Sequence, residues 1–252
     1  VLDNTAKVLG TVMLVLIGYV AFSTNPPIAE AATHAIVPTN YPWLATITLI
    51  GGTVGGYITF SGGHRLIDAG ITGREHLKDV RRAAFMGMSV DAIVRILLFL
   101  AVLGVVSMGF ALDPKDPAGS AFLLGAGEIG HKLFGIVFFC AALTSVVGAA
   151  YTSVSFLKTL FKVVERYEKL TIMAFIFVST CILIFIGKPA TLLIVAGSVN
   201  GLILPVTLAV MLLATRKTNI VGDYKHNPIL FYTGWIVVLV TAYIGVTSLQ
   251  GI

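Results

Sequence analysis

The residues whose types and spacing most suggest chemistry lie between positions 46 and 64. They read Thr46-Ile47-Thr48-Leu49-Ile50-Gly51-Gly52-Thr53-Val54-Gly55-Gly56-Tyr57-Ile58-Thr59-Phe60-Ser61-Gly62-Gly63-His64. Three Gly-Gly pairs are interleaved with hydroxyl groups inside an apolar run. Each interior glycine costs a helix about 1 kcal/mol relative to alanine, so this run is weakest in its middle. At membrane depth, backbone that leaves the helix is tolerated only inside protein or beside a water-filled cavity. There its free carbonyls and half-helix ends can face an ion or a polar solute. A second reading stays open. Gly51, Gly52, Gly55 and Gly56 place small residues at four-residue spacing, which also suits close helix packing.

Other polar groups sit in apolar runs. Asp91 and Arg95 are spaced i and i+4, so they pair on one helix face and serve either structure or a proton or gating role. Thr144, Gly148, Tyr151 and Ser155 fall on one face of another helix, which is a packing seam or the wall of a polar path. Gly197, Ser198, Asn200, Gly201 and Pro205 form a further cluster. Asn200 is costly in lipid and is expected to point inward, and Pro205 removes a backbone bond, making a second weak point. Cys140 and Cys181 have no CxxC or histidine neighbour and read as packing residues. His34, His64, His76, His131 and His226 are scattered. The sequence contains no HExxH, GxSxG or P-loop, so no enzyme and no cofactor is expected.

The elements that must position these groups are transmembrane helices. Of 252 residues, 57% are hydrophobic and 12% charged, against about 25% charged in a soluble domain. Seven apolar runs are long enough to approach the roughly 20 residues of a span. They lie near 7–23, 43–64, 84–110, 132–158, 170–187, 190–215 and 229–249. If the N-terminus lies inside, thirteen Lys and Arg residues fall in inner segments and three, Lys115, Lys132 and Lys188, in outer ones. That bias predicts a cytoplasmic N-terminus. The net charge of +5 therefore reflects membrane orientation rather than nucleic-acid binding. Segments 24–42 and 111–131 read as ordered surface turns, and 65–83 as a solvated, basic connection. The chain does not begin with Met and opens close to a helix, so it is expected to be a fragment forming a single transmembrane domain over residues 1–252.

In this order of features the chain resembles the NRAMP family of proton-coupled divalent metal transporters. Gly52-Thr53-Val54-Gly55-Gly56-Tyr57 takes the place of that family's unwound Ala-Thr-Val-Met-Pro-His type segment, followed by the basic stretch Arg65 through Arg82. Asp91 matches an acidic residue near the start of the next helix. Lys132-Leu133-Phe134-Gly135-Ile136, Thr144-Ser145 and Gly148-Ala149-Ala150-Tyr151 resemble the helix after it. Leu204-Pro205 and Gly234-Trp235 fit the last two. The resemblance implies an all-α, partial leucine-transporter-like fold built from inverted repeats, here the second repeat with flanking helices. The seven spans then correspond to family helices five to eleven.

The resemblance also implies a substrate site at Gly52, Thr53, Gly55, Gly56, Tyr57 and Asn200. Gly52 stands where the family supplies a metal-binding backbone carbonyl. Gly55 stands at the family's Met position, and Gly56-Tyr57 at its Pro-His pair. Oxygen ligands without a thioether suit harder cations such as Mg²⁺ or Mn²⁺. The expected function is secondary transport of a divalent cation, coupled to protons, in a bacterial plasma membrane. Alternatives are a small organic solute carried by the same fold, and a non-transporting membrane subunit.

Overall fold

The computed structural model describes the backbone of residues 2–54 and 58–250 and the side chains of residues 8–54 and 62–249. Every described element is helical. In chain order they are α1 (Leu2–Ser23), α2 (Ile28–Ile36), α3 (Trp43–Val54), α4 (Ile58–Asp68), α5 (Leu77–Ser107), α6 (Pro117–Leu160), α7 (Lys162–Arg166), α8 (Glu168–Ile186), α9 (Pro189–Ala214), α10 (Thr218–Val221) and α11 (Pro228–Gln250). Among the described residues, α5, α6, α8, α9 and α11 are each long and apolar enough to cross a membrane. The part of α1 from Val8 to Ser23, taken with α2, qualifies as a bent span, turning by 103° between its parts. The expected span at 43–64 is represented by α3, a shorter apolar helix, and α4. Residues 55–57 between them lie outside the described residues.

Two stretches expected to be turns contain helix. Residues 28–36 form α2, and α6 starts at Pro117 rather than near 132. The second case has a clear local cause. The Asp116 carboxylate accepts a hydrogen bond from the Gly119 amide at 2.9 Å, and proline occupies the first helical position. That is an N-cap followed by a residue with no amide to satisfy. The same Asp-Pro pair that suggests a turn therefore starts a helix. α6 then breaks at Gly127, where φ is 67° and ψ −169°. Only glycine adopts this conformation without strain.

The chain divides into two compact units, residues 1–39 with 72–148 and residues 40–71 with 149–252. In the first unit α1 packs along α5. Leu16, Ile17, Val20, Ala21, Ala101, Val105, Phe122 and Phe134 form its core, with the Phe122 and Phe134 rings stacked at 4.2 Å. In the second unit α9 is the central element and packs against both α3 and α11.

The α3–α9 contact is a glycine seam. A methyl group added to Gly51 would overlap the Gly197 carbonyl oxygen and the Gly201 amide nitrogen, both backbone atoms. Gly197 in turn lies against Thr48, and Gly201 against Ile47, which is fully buried. Thr48 and Ser198 share a hydrogen bond at 2.8 Å across the seam. Small residues allow this approach, and without a hydrophobic drive in lipid such packing holds helices together. The Gly197–Pro205 stretch stays helical within α9. Its glycines serve packing rather than unwinding. Gly52, one residue along from Gly51, faces open space.

This asymmetry yields a test. In the full-length protein, Gly51→Ala should lower thermal stability by about 2 kcal/mol through overpacking. Gly52→Ala should be neutral or stabilising by up to about 1 kcal/mol. Equal losses in both, measured by thermal melting in detergent, would remove the seam.

Candidate functional site

The expected site residues separate into those the structure places and those it does not. Gly55, Gly56 and Tyr57 lie outside the described residues. Gly52 and Thr53 lie in α3, whose described residues run to Val54. Both are exposed. The Thr53 hydroxyl donates to the Leu49 carbonyl, one turn back, and so points along its own helix. Asn200 lies in α9, half-buried beside the seam glycines Gly197 and Gly201. No hydrogen bond joins its amide to another described residue.

Asp91 and Arg95 belong to α5 and pair as their spacing requires. Arg95 Nε donates to Asp91 Oδ2 at 2.7 Å. Their side chains are 49% and 45% exposed, so within their unit the pair sits on the helix surface. An i,i+4 pair of this kind leaves no net charge for the surroundings to solvate. The face that carries Thr144, Gly148, Tyr151 and Ser155 divides between the two units. Thr144 lines an apolar cavity of about 380 Å³ in the first, together with Met13, Val94 and Cys140. Tyr151 and Ser155 belong to the second, where they enter a polar cluster.

That cluster was not evident in the sequence. Asp68, the last residue of α4, accepts a hydrogen bond from Ser155 Oγ of α6 at 2.6 Å and a longer one from Tyr151 Oη at 3.4 Å. Lys158 Nζ lies 3.8 Å from the same carboxylate oxygen. It donates to Glu168 Oε1 of α8 at 3.0 Å. The Arg65 guanidinium stands over the Tyr151 ring at 5.6 Å, and His64 stacks obliquely on Phe156 at 5.4 Å. Tyr151 and Ser155 stand out from the sequence by their shared face. Their partner Asp68 is 83 and 87 residues away, and nothing in its local sequence marks it.

Among the described residues, no group of three or more His, Cys, Asp or Glu side chains could hold a metal ion.

A helical chain with several apolar spans and polar groups set within them is a multi-pass integral membrane protein. The model of the natural resistance-associated macrophage protein-like (Nramp) family matches residues 1–250, and the chain belongs to that family. Its all-α architecture is accordingly of the leucine-transporter-like type. It is 50% identical over 241 residues to an "Uncharacterized membrane protein" of Haemophilus influenzae, covering 96% of this chain and 61% of that one. It is 49% identical over 248 residues to the "Uncharacterized membrane protein YcsG" of Bacillus subtilis, covering 98% and 61%. The chain thus spans about three fifths of the length of these curated relatives.

The Ser155 hydrogen bond, and after it the Lys158 charge, holds the Asp68 carboxyl below the usual carboxylate range. A carboxyl with a depressed folded pKa stabilises the fold fully above its unfolded value, near about pH 4. That contribution disappears as pH falls through the lower folded value. The stability gap between the natural protein and Asp68→Asn should therefore be widest near neutral pH and close below about pH 4. Thermal melting across pH 7 to 3 reads it, and a gap independent of pH would contradict the assignment.

Proposed function

We propose that the protein is a secondary transporter that moves a divalent metal cation across a bacterial plasma membrane by alternating access, driven by coupled proton movement. The observation that supports this reading is the family match across residues 1–250, joined to the exposed Gly52 of α3, which faces open space within the glycine-rich run. Free carbonyls at a helix C-terminus are the groups that broken transporter helices present to cations. Gly52 is the backbone ligand in this reading. In the same reading Thr53, Gly55, Gly56 and Tyr57 belong to the substrate site by their place in the sequence, and Asn200 contributes from α9. The remaining ligands come from the two fifths of the relatives' length that this chain does not span. No covalent step is involved, so the protein is not an enzyme.

Without a thioether at Gly55, selectivity rests on oxygen donors, and the cation favoured is Mg²⁺ or Mn²⁺ over softer ions. Asp91 and Arg95 are placed as a proton or gating pair, and the N-terminus of the chain as cytoplasmic.

Full-length protein in liposomes loaded with a cation-sensitive dye provides the test. Uptake of Mg²⁺ or Mn²⁺ that exceeds Cd²⁺ uptake, rises with an inward proton gradient, and falls at least tenfold in Gly52→Pro while Gly52→Ala retains it is the expected result. Uptake of a small organic solute with no cation uptake would move the cargo to another class. Absence of any transport would favour a non-transporting subunit.

A further inference from the structure

The two described helices on either side of residues 55–57 are held by different forces. α3 is locked by the glycine seam, in which backbone meets backbone. α4 touches α9 only marginally. Its far end is held instead by polar groups: Ser155, Tyr151 and Lys158 all converge on the Asp68 carboxylate. A close-packed seam cannot part without losing its contacts outright. A polar contact can part cheaply when each member has another partner ready.

That condition is met here. Lys158 sits nearer to Glu168, at 3.0 Å, than to Asp68, at 3.8 Å. If Asp68 withdraws, Lys158 keeps a carboxylate and is not stranded. Asp68 is 35% exposed, so water replaces its lost partners. The large penalty for separating a fully buried ion pair does not apply. Arg65, one turn before Asp68, leaves with it and balances its charge.

We propose that Asp68, Ser155, Tyr151 and Lys158 form a releasable latch that ties the end of α4 to α6, with Glu168 as the standing partner that keeps Lys158 when the latch opens. The purpose assigned to it, opening one side of the transport path, rests on the transport reading above. The latch itself does not.

Pulsed electron–electron resonance on the full-length protein in lipid nanodiscs tests it, with spin labels at Ile67 and Thr159, both exposed, in a background otherwise free of cysteine. The natural sequence should give a dominant short distance. Asp68→Asn should raise the ratio of long to short distances about threefold to tenfold, the effect of weakening a charged hydrogen bond. Glu168→Gln should lower that ratio, because Lys158 then has Asp68 as its one carboxylate among the described residues. Merely structural contacts would not produce this opposite sign. If Asp68→Asn does not fold, the Tyr151→Phe, Ser155→Ala double variant keeps the charge and should lengthen the distance in the same direction. An unchanged distribution in the latch variants, or equal lengthening in Glu168→Gln, overturns the proposal. A second arm links it to transport. In a His64→Cys, Phe156→Cys variant, oxidation should abolish uptake and reduction restore it. Full uptake while cross-linked would overturn the purpose assigned to the latch, the opening of the transport path. If the natural protein transports nothing, the distance measurement still decides on the latch, so the two readings fail separately.

Discussion

The closeness of α3 to α9 is the constraint on which the second unit depends. Gly51 meets Gly197 and Gly201 at a separation that admits no side chain on either helix. Hydrophobic burial cannot drive helices together within lipid, since the tails are as apolar as the side chains. What remains is dispersion between well-fitted surfaces and a few hydrogen bonds, here Thr48 to Ser198. Both terms fall off steeply with separation. With α3 fixed in this way, the backbone at Gly52, one residue beyond Gly51, is held in a defined position relative to α9.

The sequence held two readings of the glycine-rich run, and adjacent residues divide between them. Gly51 is a packing residue, buried against backbone. Gly52 faces open space. Periodicity could not separate them, because both fit a four-residue repeat, and the choice depends on where α9 lies. The apolar spans were legible because span length and hydropathy are properties of the chain itself. The Asp91–Arg95 pair was legible for the same reason, since an i,i+4 contact needs no information from outside its helix. The Asp68 cluster was not. It joins the end of α4 to α6 across more than eighty residues, and only Tyr151 and Ser155 carried any local sign of it.

The differences in the connecting segments have a related origin. Proline and aspartate mark both turns and helix starts, and the residues on their C-terminal side decide between the two. After Asp116 and Pro117 comes a helix that survives until Gly127 adopts a left-handed φ. The expected boundary near residue 132 marked the start of the strongest hydropathy, which is where lipid begins rather than where the helix begins.

These features place rigidity and release on opposite sides of residues 55–57. α3 is held by contacts that any displacement destroys. α4 ends in a carboxylate, Asp68, whose partners can be exchanged for water, while Lys158 keeps Glu168. Close packing loses its contacts outright when its surfaces separate. Polar contacts with ready substitutes give a small free-energy difference between docked and undocked states, which is what a population shift requires. The division also explains why the polar network lies at the end of α4 rather than in its middle. At Asp68 water is within reach, and a displaced charge need not enter the hydrocarbon, where its cost would exceed anything the remaining contacts could offset.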